Sequence, residues 1–252
     1  MKTIPANYEP PADLLRDRII LVTGAGDGIG ATAAKTFAAH GATVILLGRT
    51  IAKLEEVYDA IVSAGHPQPA IYPLDLEGAT YQHYEDLATT LEKEFGRLDG
   101  LLHNAAILGA RMMIEQYDLK LWARVMHINL TAPFLLSRAC LPLMRKSDDA
   151  RVVFTTTDVA HTGRAYWGAY AVSKAGADNL MQIMADELEV NTAIRVNSID
   201  PGAVATRIRR LAFPAEDVTT LPSTESVMPA YLYLMGPDSK NEIGQIFLAQ
   251  SS

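Results

Sequence analysis

Arg18-Ile19-Ile20-Leu21-Val22-Thr23-Gly24-Ala25-Gly26-Asp27-Gly28-Ile29-Gly30 is the stretch on which the fold turns. Arg18 to Thr23 is apolar through its middle and of strand length, as in strands that a parallel sheet buries on both faces. Gly24 permits a tight turn directly off this strand. Gly28 lets the backbone approach a pyrophosphate, and Gly30 lets the next helix pack close to the sheet. That helix, Ala31 to His40, is alanine-rich and stops at Gly41. Its N-terminus offers amide donors and a positive dipole end to an anion. The spacing is Gly-x-x-x-Gly-x-Gly, shorter than the Gly-x-Gly-x-x-Gly fingerprint. In its strand–turn–helix setting it predicts a dinucleotide-binding turn.

Outward from this unit, short β-branched runs alternate with amphipathic stretches. Further strands are predicted at Ala42–Leu47, Ala70–Leu74, Leu98–His103, Arg151–Thr156, Ile194–Ile199 and Gln245–Leu248. Helical patterns occupy 51–64, 81–95, 118–144 (two helices, with Pro133 near the start of the second), 168–190 and 226–234. About seven strands in strict alternation with helices predict an α/β, single-domain Rossmann fold, a doubly wound parallel sheet with right-handed crossovers. Residues 1–17 form an N-terminal extension and 18–252 the dinucleotide-binding domain. Residues 203–225 lack periodicity and follow a strand end, as a substrate loop or lid would.

A chain of 252 residues with net charge −7 lacks the basic field a general nucleic-acid binder needs. The single cysteine, Cys140, rules out an internal disulfide and lies in an apolar stretch that predicts burial. No apolar run reaches the ~18 residues that span a bilayer, and residues 1–17 have no signal-peptide core. The expected compartment is the cytoplasm. Six histidines without helical ligand spacing predict no catalytic metal. Asn129-Leu130-Thr131 matches a glycosylation acceptor but falls in a helical pattern, and is discounted.

Two features carry chemistry. After the second strand stands Gly48-Arg49-Thr50, where a carboxylate would bind the ribose hydroxyls of NAD. Arg49 instead suits a 2′-phosphate, which favours NADP and leaves NAD possible, with Asp27 in the glycine turn counting the other way. Tyr170 and Lys174 lie i, i+4 on a predicted helix and share a face. A phenol of reference pKa ~10 becomes a base near neutrality only if its pKa falls by ~3 units, about 4 kcal/mol of differential stabilisation. A neighbouring ammonium supplies part of it.

Together these residues resemble the short-chain dehydrogenase/reductase family over essentially the whole chain. The motifs stand in family order: the glycine turn, Asp75-Leu76, His103-Asn104-Ala105-Ala106, Asn129, Tyr170 with Lys174, and Pro201-Gly202. Ile20-Leu21-Val22-Thr23, Leu47-Gly48-Arg49, Gly163-Arg164, Trp167-Gly168-Ala169-Tyr170 and Leu211-Ala212-Phe213-Pro214 further resemble the YciK-type bacterial oxidoreductases. The resemblance implies that Asp75, next to Leu76, bonds the adenine amino group and that Asn104, Ala105 and Ala106 line the nicotinamide ribose. Pro201, Val204 and Thr206 would orient the carboxamide, with Gly202 and Ile29 in the same cofactor set. Asn129 would hold a water linking Lys174 to solvent. Tyr170 would be the acid/base, and Lys174 would bind the ribose and depress the tyrosine pKa. The family's Asn-Asn-Ala-Gly motif departs here at His103 and Ala106.

A serine usually stands 13 residues before the tyrosine; here it is Thr157, whose hydroxyl can make the same bond while its methyl narrows the pocket. The leading expectation is an NADP(H)-dependent oxidoreductase interconverting a small-molecule carbonyl and alcohol. The other reading, kept open by Thr157 and the altered motif, is a cofactor-binding regulatory or scaffold protein without turnover. Arg207, Arg209 and Arg210 open the substrate loop, where they read first as a solvated helix face and otherwise as a greeting for an anionic substrate or the cofactor phosphate. The apolar faces of 118–144 and 168–190 are, by the resemblance, where subunits pair into a homodimer or homotetramer.

Overall fold

In a computed structural model describing residues 1–250, eight parallel strands form one sheet. The strands are β1 (Lys2–Thr3), β2 (Ile19–Thr23), β3 (Thr43–Gly48), β4 (Ala70–Pro73), β5 (Gly100–His103), β6 (Ala150–Thr155), β7 (Ile194–Asp200) and β8 (Ile246–Leu248). The helices are α1 (Gly28–Ala39), α2 (Ile51–Ser63), α3 (Tyr81–Phe95), α4 (Leu119–Met126), α5 (Ala132–Met144), α6 (Gly168–Glu189), α7 (Arg207–Ala212) and α8 (Met228–Met235). Strand order is β1-β8-β7-β6-β5-β2-β3-β4. From β2 the chain winds outward through β3 and β4, then returns to lay β5 on the other side of β2. The order therefore reverses between β2 and β5, and the crevice at their carboxyl ends is where such sheets bind ligands.

The alternation of side chains along β2 divides the core. Ile20 and Val22 pack with Phe37 of α1, Leu54 of α2 and Tyr231 of α8 on one face. Leu21 packs on the opposite layer with Leu87 of α3, Leu136 of α5 and Met181 of α6. Each of these three strand residues is fully buried, which is why the run shows no polar alternation.

The doubly wound reading holds, with details that differ. An eighth strand, β1, lies in the N-terminal segment and pairs with β8; two residues carry no periodicity by which to find it. The helix after the glycine turn starts at Gly28, because the dinucleotide turn is itself the helix's first turn. The pattern over 118–144 is two helices, α4 and α5, as expected, with Pro133 in the first turn of α5; between them lies a π-helical turn, His127–Thr131, that contains Asn129. Within 203–225 the aperiodic stretch holds α7 and a 3-10 turn, Val218–Thr220. No described helix is long and apolar enough to cross a membrane.

Candidate active site

The carboxyl ends of β2, β3, β5, β6 and β7 open into one cleft of about 550 Å³. Gly24, Asp27, Gly28, Ile29, Arg49, Asp75, Leu76, Asn104, Ala105 and Ala106 line it. So do Thr157, Tyr170, Lys174, Pro201, Gly202, Val204 and Thr206. Two expected site residues stand behind the wall. A Cβ on Gly30 would lie 2.2 Å from the Gly24 carbonyl oxygen, so its glycine is what lets α1 seat against the turn. Asn129 is buried, and its side chain is fully engaged: Oδ1 accepts from the Ile107 amide, and Nδ2 donates to the Ile107 carbonyl and the Ser173 hydroxyl.

Gly24 adopts φ +68°, turning the chain off β2 with Ala105 close by. The Thr23 hydroxyl ties this turn to the neighbouring strand end: it donates to the Leu102 carbonyl and accepts from the amides of Asn104 and Ala105. Asp27 precedes α1 but makes no side-chain cap bond. Its carboxylate instead takes the Lys53 ammonium at 2.8 Å, which holds its pKa below the usual range. The Gly28 amide also stabilises the Asp27 carboxylate, while no side chain caps α1 at the position where a phosphate would sit. Arg49 makes no ion pair among the described residues and lies on the cleft wall at the end of β3, beside α2.

At the other end, α6 presents a stripe at i, i+3, i+4 spacing. Tyr170, Ser173, Lys174 and Asp178 occupy its polar stretch, and Met181, Met184 and Leu188 continue it into the core. Lys174 is buried and donates to the Thr155 carbonyl at 2.7 Å; burial lowers its pKa to about 8. Tyr170 is pushed above its ordinary value by burial, then by the nearby carboxylates of Asp200 and Asp158. The phenol is therefore the resting form. Asp200 is itself raised by burial while accepting from the Gly202 amide at 2.8 Å. Thr157 Oγ1 donates to Asp158 Oδ1 at 3.2 Å, and Asp158 holds Arg164 at 2.8 Å.

The family pattern of short chain dehydrogenases matches residues 18–217, which include the glycine turn and the Tyr170–Lys174 pair. This chain belongs to the short chain dehydrogenase family. The oxidoreductase is 46% identical over 244 residues to the uncharacterised oxidoreductase YciK of Escherichia coli K12, covering 97% of this chain and 96% of that one. It superposes with TM-score 0.95 on a short chain dehydrogenase from Pseudomonas syringae at 55% identity, covering 97% and 99% of the two chains. A short chain dehydrogenase of E. coli CFT073 in complex with NADPH aligns at 47% identity and TM-score 0.93, covering 96% and 100%.

Several residues of the dehydrogenase escaped sequence reasoning. Asp178 is buried and accepts from Thr156 at 2.5 Å and Ser198 at 2.6 Å, with His161 Nε2 at 3.5 Å. His161 and Asp178 stand 17 residues apart in the chain, and only the fold brings them together. Tyr231 of α8 reaches the Thr155 hydroxyl, which also donates to Asn104 Oδ1. Lys53, Trp167 and Phe213 line the cleft. The expected solvated face of three arginines is corrected in part. Arg209 is paired with Glu216 (Nε–Oε2 2.6 Å) and stacked 4.0 Å over the Phe213 ring, and Arg207 and Arg209 face the cleft; Arg210 is exposed. These pairings come from the α7 fold-back, which carries no sequence signal.

Proposed function

We propose that the protein is an NADP(H)-dependent reductase of small-molecule carbonyls, with Tyr170 exchanging the proton. The observation that carries this reading is one buried helix face. Tyr170 and Lys174 sit on it inside the cleft the glycine turn opens into, the lysine fixed by the Thr155 carbonyl. The residues present fit a phosphorylated dinucleotide: a turn at Gly24, α1 amides without a side-chain cap, and a guanidinium without a carboxylate partner at Arg49. NADPH in the E. coli CFT073 relative supports the same choice. Asp27 does not argue for NAD, since Lys53 neutralises it.

When bound, the dinucleotide supplies a hydride to the substrate carbon. The chain's own part is proton handling. Tyr170, kept as the neutral phenol by burial, donates its proton to the carbonyl oxygen as that oxygen becomes an alkoxide. Lys174, with a pKa of about 8, is charged at neutral pH and stabilises the phenolate left behind. Asn129 fastens the Ile107 segment and Ser173 around this helix, so a water bridging Lys174 to solvent would be held by main-chain rather than side-chain atoms there. Thr157 stands in the cleft to polarise the carbonyl.

The exposed Phe134 of α5 and Ile183 of α6 support pairing of these helices between subunits as a homodimer or homotetramer. NADPH oxidation over a carbonyl panel, wild type against Tyr170→Phe, tests the reading. Turnover that falls by about a hundredfold or more in the variant, with NADPH binding retained, is expected. Tight NADPH binding without turnover of any carbonyl would instead favour a regulatory binder, the reading that Thr157's hydroxyl, already given to Asp158, keeps open.

A further inference from the structure

Beyond the dinucleotide half, the cleft is walled by an aromatic and aliphatic slot. The Trp167 ring packs at a tilt 5.9 Å from Tyr170 and 5.8 Å from Phe213, with Leu108, Val159, Ala212 and Ile208 packed around them. At the rim of this slot lies a three-residue chain, Thr157–Asp158–Arg164, all facing the cleft. Asp158 carries two loads. Its Oδ2 holds the Arg164 guanidinium at 2.8 Å, and its Oδ1 accepts the single hydroxyl proton of Thr157 at 3.2 Å. A threonine has one proton to give, so while it points at Asp158 it cannot polarise a carbonyl.

We propose that the substrate is an anionic carbonyl compound, an apolar or aromatic ketone or aldehyde bearing a carboxylate. Its carboxylate takes Arg164 from Asp158 and thereby frees Thr157 for catalysis. This rests on the reductase reading above and names its substrate class. The Asp158 and Arg164 side chains are 58% and 53% exposed, so their pairing is weakly held and exchanges readily for another carboxylate. An incoming carboxylate on Arg164 repels Asp158, which rotates outward into solvent, and the Thr157 hydroxyl turns to the substrate oxygen. The apolar body of the substrate lies in the cleft against the wall that Trp167, Ile208, Ala212 and Phe213 present. A cationic substrate would meet Arg164 and Arg207 on the same walls. The guanidinium pairs a carboxylate in a fixed fork, and this orients the carbonyl toward Tyr170.

The probes are 4-oxo-4-phenylbutanoate and its neutral amide, compared by steady-state kinetics with NADPH in the wild type, Arg164→Gln and Asp158→Ala. In the wild type the acid should show both a lower KM and a higher kcat than the amide. Arg164→Gln should raise the KM of the acid at least tenfold and collapse the acid-to-amide preference. Asp158→Ala should act in the opposite sense, raising kcat for the amide several-fold by releasing Thr157, an effect that mere structural damage would not produce. Equal handling of acid and amide by the wild type overturns the proposal and leaves the reductase reading standing. So does equal loss on both probes in Arg164→Gln. If neither probe is turned over, calorimetry of the acid with the NADP⁺-loaded protein decides separately. Binding lost in Arg164→Gln supports the anion site, and no binding overturns it, while the missing turnover counts against the reductase reading alone.

Discussion

His103 stands at the residue scale as the clearest departure from the family motif, and the structure gives it a physical setting. It is wholly enclosed between β5 and its neighbours, bonded through Nε2 to Ser137 at 2.8 Å and packed on Phe154 at 4.5 Å. Burial first, and the nearby Lys174 ammonium second, lower its pKa to about 3. The unfolded chain would bind a proton near pH ~6.5 while the folded chain would not. In the window between the two values the unfolded state holds more protons, so stability rises with pH and is lost as pH falls from about 6.5 toward 3. His103→Gln, which keeps a partner for Ser137, should remove a slope of about 1.4 kcal/mol per pH unit. Urea unfolding at pH 7, 6, 5 and 4 reads it directly. A wild-type slope unchanged in the variant would place the acid sensitivity elsewhere. Nothing in the sequence marked this residue as titratable trouble, because its burial depends on strands brought together from distant parts of the chain.

Among the elements, α1 and its glycine turn were legible almost in full, and the reason is local. A parallel strand must be apolar, a tight turn off it requires Gly24 at positive φ, and a helix seated on that turn requires no side chain at Gly30. Gly30→Ala places a Cβ 2.2 Å from the Gly24 carbonyl and 2.6 Å from Asn104 Nδ2, so the helix must lift away from the turn. The expected cost is about 1–3 kcal/mol of stability with NADPH binding weakened at least tenfold. Thermal unfolding and cofactor fluorescence titration measure the two effects, and a variant that binds NADPH like the wild type would sink the argument. By contrast, α7 went unread. Its six residues are placed by the Arg209–Glu216 pair and by Arg111, which donates to the Ala212 carbonyl and lies over the Trp167 and Phe213 rings. These partners come from separate loops.

For the molecule as a whole, the sheet edge raises its own question. β8 would expose a row of unpaired backbone groups, a template for association, were it not covered by β1. The N-terminal segment is fastened there by Lys2 on Glu242 at 2.7 Å, by Tyr8 on Asp238 at 2.7 Å, and by the edge-on packing of Tyr8 against Tyr233. Deleting residues 1–8 should leave the fold intact but cost about 2–3 kcal/mol, lowering Tm by roughly 5–10 °C. It should also promote aggregation through the bared edge of β8. Calorimetry and light scattering at matched concentration test both, and an unchanged Tm would show the segment to be an ornament of the sheet.

What the sequence by itself determined is the part that rests on short-range constraint. It set the strand–turn–helix unit, the parallel winding, and the Tyr170–Lys174 pair on one helix face, because apolar runs, positive-φ glycines and i, i+4 spacing act within a few residues. Only the tertiary structure decided which polar groups meet: Asp27 with Lys53, Asp178 with His161, and Asp158 between Thr157 and Arg164. Those pairings depend on where loops from separate strands arrive at the carboxyl edge, and on which groups burial strips of water. The residues proposed for the dinucleotide were therefore largely readable in the chain, while the contacts proposed to select the substrate emerged only when the loops were folded together.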